Sequence, residues 1–387
     1  MTSNWASEDN TPPAPAARAG APRTAAWLTW VILAAILALG ASLSTLNLFG
    51  WDSDTGQHPD ERFMTDVADH LKMPLSLGEY IDSARSPLNP RNTGHTFYVY
   101  GMLPETLTHI TAVLLTPDSA LAPTVSPADA VNYGKLPQVP NPDLRVPKLT
   151  LLQPLLNPSG NDLTSYYFVY RVGRALSALF ELLGVVVIFL IGRRLYGRRV
   201  GLLAALLLAL AALPIQIAHF FTVDSATAFF TLLSVYWAVR LAQDGGWGSA
   251  TALGLSIGAA MACRVTMATL GLLAILAVAQ RIWGAGEGSK VARPLLPRVG
   301  VALLVLAGLV TIASFRLMQP DAFVGTSLLD LRPDPRFIDN ISTIGGYVSG
   351  ELDSPPSQQW AGRTPFLFPL QNMVLWGMGL PLGLAAW

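Results

Sequence analysis

Long apolar runs alternate with short polar segments through most of this chain. The first run, residues 25–48, is long enough to cross a bilayer and lacks a small-residue cleavage site, so it predicts an uncleaved signal-anchor helix. Further runs predict membrane-spanning helices at residues 169–191, 200–217, 225–242, 250–263, 266–283, 299–318 and 367–387. The pattern therefore predicts an all-α membrane protein built as a multi-pass helical bundle.

Basic residues distinguish the two sides of this bundle. The tail 1–24 is rich in Pro, Ala and Thr, is predicted to be disordered, and carries Arg18 and Arg23. A second basic group lies in the connections between later spans: Arg193, Arg194, Arg198, Arg199, Arg240, Arg281, Lys290, Arg293 and Arg298. Because basic loops stay cytoplasmic, the tail is predicted to be cytoplasmic and the acidic loops 49–168 and 319–366 extracytoplasmic.

The sequence ends abruptly after the second acidic loop. The predicted bundle covers residues 169–318, and the last predicted helix, 367–387, stops at Trp387 without a charged flank. We therefore expect the sequence to be a fragment of a longer protein that carries further spans.

The large first loop contains amphipathic segments. Pro59 suits the first position of a helix, and Phe63, Val67 and Leu71 recur four residues apart, so residues 59–72 predict a short helix lying on the bilayer surface. Residues 97–115 predict a second interfacial or re-entrant helix, and the Pro-rich stretch 116–163 is predicted to be irregular. Asp60 and Glu61 begin the first helix, where a solvated helix N-terminus would also favour acids.

The composition agrees with an integral membrane protein. Of the 387 residues, 51% are hydrophobic and 13% are charged, against roughly 25% charged residues in soluble domains. The net charge of zero gives no indication of a nucleic-acid partner, and a single cysteine, Cys263, excludes an internal disulfide. The sequence contains no Gly-rich phosphate loop, Cys/His zinc motif or Ser/His/Asp order that would indicate another class of enzyme.

Ionisable residues gather at the predicted outer ends of the spans: Asp60, Glu61, Arg171, Arg174, His219, Asp224, Arg264 and Arg316. Singly, each is explained by snorkelling or by helix capping. Together they fit chemistry on a lipid-linked phosphosugar, whose phosphate needs arginine or a metal and whose acceptor hydroxyl needs a carboxylate base. Glu181 is the exception, since it lies near the middle of the second span and predicts a hydrogen bond inside the bundle.

These residues resemble the GT-C glycosyltransferases that use polyprenyl-phosphate sugars, in particular the protein O-mannosyltransferase family (glycosyltransferase family 39) and the lipid A aminoarabinose transferases. The resemblance covers roughly residues 25–285. The matching motifs are the Asp60-Glu61 pair after the first span, Phe97-Tyr98-Val99-Tyr100-Gly101 with Pro104, Arg171-Val-Gly-Arg174, Gly192-Arg193-Arg194-Leu195-Tyr196-Gly197, and His219-Phe-Phe-Thr-Val-Asp224.

The resemblance implies an inverting transfer from a polyprenyl-phosphate sugar to a hydroxyl of a protein, lipid or glycan, on the outer face of the cell membrane. Asp60 would be the base, and Glu61 would orient either Asp60 or the acceptor. Asp224 would lie across the cavity as a third catalytic residue. Some relatives bind a divalent metal ion near that position, and here Asp224 would bind it with His219 or with His58. The donor phosphate would contact Arg264, Arg174 and Arg171, and the substrate cavity would be lined by His58, Tyr98, Tyr100 and His219.

Two other functions remain open at this point. A secondary transporter would bind its solute near the midplane, where only Glu181 lies, and no inverted repeat is visible. A non-catalytic membrane assembly factor would not need Asp224 and Arg264 to converge with Asp60. For an enzyme, the sugar is open among mannose, another hexose, a pentose and an amino sugar.

Overall fold

The computed structural model describes residues 24–52, 56–125, 138–283, 295–353 and 362–386. These residues are predominantly helical and confirm an all-α, multi-pass membrane protein. The predicted disorder of the tail concerns residues outside this range, apart from Thr24, which begins the first helix. The helices are α1 (Thr24–Thr45), α2 (Pro59–His70), α3 (Leu77–Ile81), α4 (Met102–Leu115), α5 (Gln153–Leu156), α6 (Tyr166–Tyr196), α7 (Arg198–Ala209), α8 (Ala212–Ala218), α9 (Asp224–Gln243), α10 (Trp247–Met261), α11 (Gly271–Trp283), α12 (Pro297–Met318), α13 (Pro335–Ser349), α14 (Leu367–Asn372) and α15 (Leu380–Ala386).

Shorter elements connect these helices. Strands β1 (Thr124–Val125) and β2 (Val139–Pro140) pair antiparallel within the Pro-rich stretch. Single 3-10 turns or short 3-10 helices occupy Pro90–Asn92, Pro142–Arg145, Val265–Leu270 and Pro320–Ala322, and a π-helical turn occupies Met373–Gly377.

Five helical segments in the described part of the chain are long and apolar enough to cross a membrane: Trp27–Thr45, Tyr166–Tyr196, Asp224–Gln243, Val265–Trp283 and Pro297–Met318. A sixth crossing results if α7 and α8, which meet at a bend of 58°, form one broken span. The remaining predicted spans differ, because α10 has only 15 residues and residues 367–386 do not form one continuous helix. Gly379 adopts the left-handed conformation, with φ of 79°, and separates α15 from the preceding turn.

Small and branched apolar side chains pack the bundle. Leu241 of α9, Leu253 and Ile257 of α10, and Leu303 and Ala307 of α12 form one buried cluster. Because lipid tails are as apolar as these side chains, the close approach of the helices contributes more to their association than water exclusion does.

The first loop folds against the end of the bundle. Helix α2 begins at Pro59 as predicted, and it buries Met64, Val67, Ala68 and Leu71, so its amphipathic character is confirmed. The second predicted helix forms as α4, which packs on α6.

A buried ion pair joins the two extramembrane loops, and a buried arginine orders the second of them. The Arg91 guanidinium donates to a carboxylate oxygen of Asp321 at 2.5 Å, and both side chains are almost fully buried. Arg316, at the end of α12, donates to the carbonyl oxygens of Pro320, Ser327 and Asp330. Arg316 therefore holds the fold of the second loop, and its guanidinium is buried away from solvent.

Candidate functional site

The start of α2 presents two acids in different directions. His58 caps the helix, because its Nδ1 accepts from the backbone N–H of Asp60 at 3.2 Å, and Pro59 occupies the first turn. Successive residues of a helix are rotated by about 100°, so Asp60 and Glu61 face different neighbours. Glu61 is 2% exposed, whereas Asp60 is only partly buried.

Glu61 belongs to a closed ionic cluster with Asp52 and Arg174. The Arg174 guanidinium donates to both carboxylate oxygens of Glu61 at 2.7 Å, and to Asp52 at 2.8 and 3.3 Å. Its Nη1 also donates to the carbonyl of Leu48 at 3.1 Å, and the backbone N–H of Phe221 donates to Glu61 at 2.8 Å. The three side chains are almost fully buried and well hydrogen-bonded, as buried charges require.

Gly173 allows this cluster to close. A Cβ atom at Gly173 would lie 2.2 Å from the ring of Phe221, which is far inside van der Waals contact. Because position 173 of α6 has no side chain, Phe221 can approach closely enough for its backbone N–H to bind Glu61.

Asp60 belongs to a second, open cluster. Its carboxylate lies beside the Tyr100 hydroxyl, close enough to act on the pKa of that hydroxyl. Burial raises the pKa of Tyr100 most, and the charge and hydrogen bond of Asp60 raise it further, while Arg264 opposes the shift and Asp224 adds to it. Tyr100 is therefore within electrostatic reach of Asp60, Asp224 and Arg264, and the four side chains come from four separate parts of the chain.

Arg264 and Asp224 form the exposed half of this open cluster. Asp224 is the first residue of α9, and Arg264 lies between α10 and the 3-10 helix that follows it. The Arg264 Nη2 donates to Asp224 Oδ1 at 2.9 Å, and the two side chains are 43% and 39% exposed. A guanidinium with five N–H donors and one described partner retains donors for a further anion.

Backbone hydrogen bonds place Tyr100 beside Arg264. Gly101 N–H donates to the carbonyl of Cys263 at 2.9 Å, and Leu103 N–H donates to the carbonyl of Ala262 at 3.0 Å. A Cβ atom at Gly101 would lie 2.0 Å from the Ala262 oxygen, so only glycine permits this approach. The Phe97–Gly101 segment is thereby fixed against the end of α10.

A cavity of about 470 Å³ opens beside this cluster. Its polar end carries Arg264 and the Tyr100 side chain, and its wall is formed largely by apolar side chains of α13, namely Phe337, Ile341, Ile344 and Val348. The amphipathic helix α13 thus covers an apolar space that leads to a cation.

The other predicted site residues lie elsewhere. Arg171 stacks over Phe168 and Tyr170 and borders a second cavity, of about 260 Å³. The closed cluster, which holds Arg174, lines the inner side of the same cavity. Tyr98 borders the larger cavity but is 1% exposed, and its hydroxyl donates to the Gly101 carbonyl at 3.3 Å. The His58 ring contacts Phe220, with 4.6 Å between ring centroids.

A metal ion at Asp224 and His219 does not fit the donors that the structure presents. The two ring nitrogens of His219 lie 2.8 Å from the Ile215 carbonyl and 3.2 Å from the Leu46 carbonyl. Neither nitrogen is directed at Asp224, which is paired with Arg264. Among the described residues, the one group of three potential ligands is Asp66, His70 and His95.

Several of these features were missed from the sequence. Asp52 was one of many acids in the first loop, and nothing in its neighbourhood indicated that it would be buried against Arg174. Glu105 of α4 is fully buried, and neither of its carboxylate oxygens has a hydrogen-bond partner among the described residues. The spacing of Asp66 and His70, four residues apart on a helix, was a usable signal for a shared face.

Residues 168–315 match the family model for dolichyl-phosphate-mannose-protein mannosyltransferase. The match confirms, over these residues, the resemblance to GT-C membrane glycosyltransferases. Arg171, Arg174, His219, Asp224 and Arg264 fall inside the matched range, whereas Asp60 precedes it. No curated protein matches the chain.

Two solved structures resemble the chain at low sequence identity. The S. cerevisiae protein O-mannosyltransferase complex bound to the sugar donor is 16% identical, with a TM-score of 0.47, and the match covers 77% of this chain and 35% of that one. The apo Archaeoglobus fulgidus oligosaccharyltransferase is 13% identical, with a TM-score of 0.44, and the match covers 94% of this chain and 37% of that one. The chain thus spans about a third of the length of these proteins.

Proposed function

We propose that the protein is a membrane glycosyltransferase that moves a sugar from a polyprenyl-phosphate donor to an acceptor hydroxyl, with inversion, on the outer face of the cell membrane. The observation that carries the proposal is the open cluster of Asp60, Tyr100, Asp224 and Arg264 beside an apolar cavity. The family match over residues 168–315 supports the same class of reaction.

Arg264 is proposed to bind the donor phosphate. An arginine binds phosphate through parallel N–H donors, and its present carboxylate partner is accessible to solvent, so exchange of partners costs little. As the donor's sugar–phosphate bond breaks, negative charge grows on the phosphate oxygen that leaves, and a fixed guanidinium stabilises that charge. The lipid tail would lie in the apolar cavity under α13.

Asp60 is proposed to act as the base. Its carboxylate takes the proton of the acceptor hydroxyl while the acceptor oxygen forms a bond to the anomeric carbon. The bond from that carbon to the phosphate oxygen breaks at the same time, and polyprenyl phosphate leaves with the electron pair. A single displacement of this kind inverts the configuration at the anomeric carbon. The Tyr100 hydroxyl would hold the Asp60 carboxylate in place.

The remaining predicted residues are proposed to position the open cluster. Asp224 holds Arg264, and Glu61 with Arg174 anchors the first turn of α2, on which Asp60 stands. His58 caps that turn. In this arrangement Arg174 and Arg171 do not bind the donor phosphate directly, and the reaction uses no metal ion at Asp224 and His219.

Transfer by the purified protein from a labelled polyprenyl-phosphate sugar tests the proposal. Asp60→Asn removes the base but keeps the size and hydrogen bonding of the side chain, and we expect loss of label from the lipid to fall by at least about 100-fold. Asp118→Asn removes the same charge from an exposed position of the same loop and is expected to keep full transfer. Full transfer by Asp60→Asn would overturn the proposal.

A secondary transporter is the alternative with a structural observation in its favour. Glu181 lies within α6, is 8% exposed, and its Oε1 has no partner among the described residues. A buried acid of this kind inside a span is a default candidate for proton or ion movement. Flux of a labelled solute into proteoliposomes that depends on Glu181, together with no turnover of several lipid-linked sugars, would favour the transporter.

A further inference from the structure

A cluster of side chains that bind metals well lies one to three turns along α2 from Asp60. Asp66 and His70 are four residues apart and share one face of α2, and His95 follows the 3-10 turn Pro90–Asn92 in the connection to α4. One ligand atom from each of the three side chains lies within 4.8 Å of the other two. His95 Nε2 is 3.0 Å from Asp66 Oδ2, and the two imidazole rings are 5.3 Å apart.

The hydrogen bonds around the two histidines leave the correct atoms for coordination. His70 Nδ1 lies 2.7 Å from the carbonyl oxygen of Asp66, so this nitrogen carries the proton and donates it. The His70 Nε2 therefore presents a lone pair. His95 Nδ1 lies 3.4 Å from Thr93 Oγ1, which accepts from it when Nε2 is occupied by a metal. A hydrogen bond from the second ring nitrogen is the usual support of a metal-bound histidine.

We propose that Asp66, His70 and His95 bind a zinc ion, with water as the fourth ligand. Two imidazoles and one carboxylate are a donor set typical of zinc. Ligands about 2.1 Å from zinc in a tetrahedron lie about 3.4 Å apart, and the His95–Asp66 pair already has a shorter separation. The Asp66 side chain is 51% exposed, so it is free to rotate onto the ion, and its solvent side leaves room for water.

The ion would fix α2 to the segment that carries Tyr100. The ring of Phe63 on α2 lies about 6 Å from the rings of His95, Tyr98 and Tyr100, so this segment already packs on the helix. A zinc ion at the later turns of α2 would fix the helix against this segment and so stabilise the Asp60–Tyr100 contact. The closed cluster already fixes the first turn of the same helix. Only this consequence for activity rests on the proposed function; the binding of zinc does not.

Zinc content and zinc affinity of the full chain test the site. The protein is purified without an affinity tag, treated with a chelator, and titrated with Zn²⁺ alone in detergent, with metal content measured after removal of the excess. We expect one zinc per chain, and at least about a 100-fold loss of affinity in both His70→Gln and His95→Gln. His219→Gln is the matched control, because it removes a histidine from the same end of the bundle, and it is expected to bind zinc as the parent does.

Two further readouts keep the test independent of folding and of the proposed reaction. Asp66→Asn changes an exposed side chain and is expected to weaken zinc binding without lowering the unfolding temperature of the metal-free protein. Added Zn²⁺ is expected to raise the unfolding temperature of the parent but not of His95→Gln. No zinc bound by the parent, or equal affinity in the parent and both histidine variants, would overturn the site. Loss of zinc only in His219→Gln would place the ion at Asp224 and His219 instead.

Discussion

Asp60 and Glu61 are adjacent in the chain, yet one stands in an open cluster and the other in a closed one. Glu61 is bonded to Arg174 through both oxygens, is shielded from solvent, and shares its partner with Asp52. Asp60 is only half-buried and lies beside Tyr100, which is also within electrostatic reach of the accessible Arg264–Asp224 ion pair. The buried partners of Glu61 make it a structural residue, whereas the accessible surroundings of Asp60 leave its carboxylate free to contact a substrate.

The energies of the two clusters differ for the same reason. Removing one member of a buried pair strands a charge and costs about 3–5 kcal/mol, whereas an exposed pair contributes about 0–1 kcal/mol. The closed cluster therefore belongs to the stability of the fold. The Arg264–Asp224 pair opens at little cost, which is what a site that exchanges a carboxylate for a phosphate requires.

Arg174→Met gives the largest expected effect on the closed cluster. The substitution removes the guanidinium that pairs with the buried carboxylates of Glu61 and Asp52, and we expect about 3–5 kcal/mol of destabilisation, seen as a large fall in unfolding temperature in detergent. Arg171→Met, one turn away, removes a half-buried arginine that packs on aromatic rings and is expected to cost much less. Equal unfolding temperatures for the two variants would show that the closed cluster does not hold α2.

Arg264→Ala probes the open cluster through donor affinity. Loss of the charged hydrogen bonds to phosphate is expected to weaken binding of a polyprenyl-phosphate sugar about 10- to 100-fold, with little change in stability. Arg62→Ala is the control, because Arg62 is an exposed arginine of α2. If both variants bind the donor equally well, Arg264 is not the phosphate ligand.

Glu105→Gln tests a third kind of acid, one that is buried and whose carboxylate has no hydrogen-bond partner among the described residues. Burial raises the pKa of Glu105 well above its usual 4.5, so the folded protein keeps the proton that the unfolded chain releases. This contribution to stability is complete below pH 4.5 and is lost as the pH rises through the folded pKa, with a slope of at most about 1.4 kcal/mol per pH unit. The Gln variant is expected to unfold with a flatter dependence on pH between pH 5 and 8. Parallel profiles would contradict this.

Much of the site could be predicted from local patterns. Pro59 and the spacing of Phe63, Val67 and Leu71 indicated the amphipathic helix, and the ends of neighbouring spans placed Asp224 near Arg264. Such features follow from helix periodicity and from the length of a membrane span, which are properties of a few consecutive residues.

Local patterns could not predict which of Asp60 and Glu61 is buried in an ionic cluster and which stays accessible. Both suit the first turn of a helix, and the partner that buries one of them, Arg174, lies 113 residues further along the chain. The burial of Asp52 depends on the same distant arginine. The broken helix at 367–386 is a different case, because Gly379 and Pro381 stand in a run apolar enough to be read as one span.

The roles of Asp60 and Glu61 are tested most directly by measuring sugar transfer and thermal unfolding on the same preparations of the parent protein, Asp60→Asn and Glu61→Gln. We predict that the two variants differ in opposite ways. Asp60→Asn should lose transfer while its unfolding temperature stays close to that of the parent, and Glu61→Gln should unfold at a lower temperature while its folded fraction still transfers sugar. An active Asp60→Asn variant beside a stable but inactive Glu61→Gln variant would contradict this assignment, because it would make Glu61 the reacting acid and Asp60 the structural one.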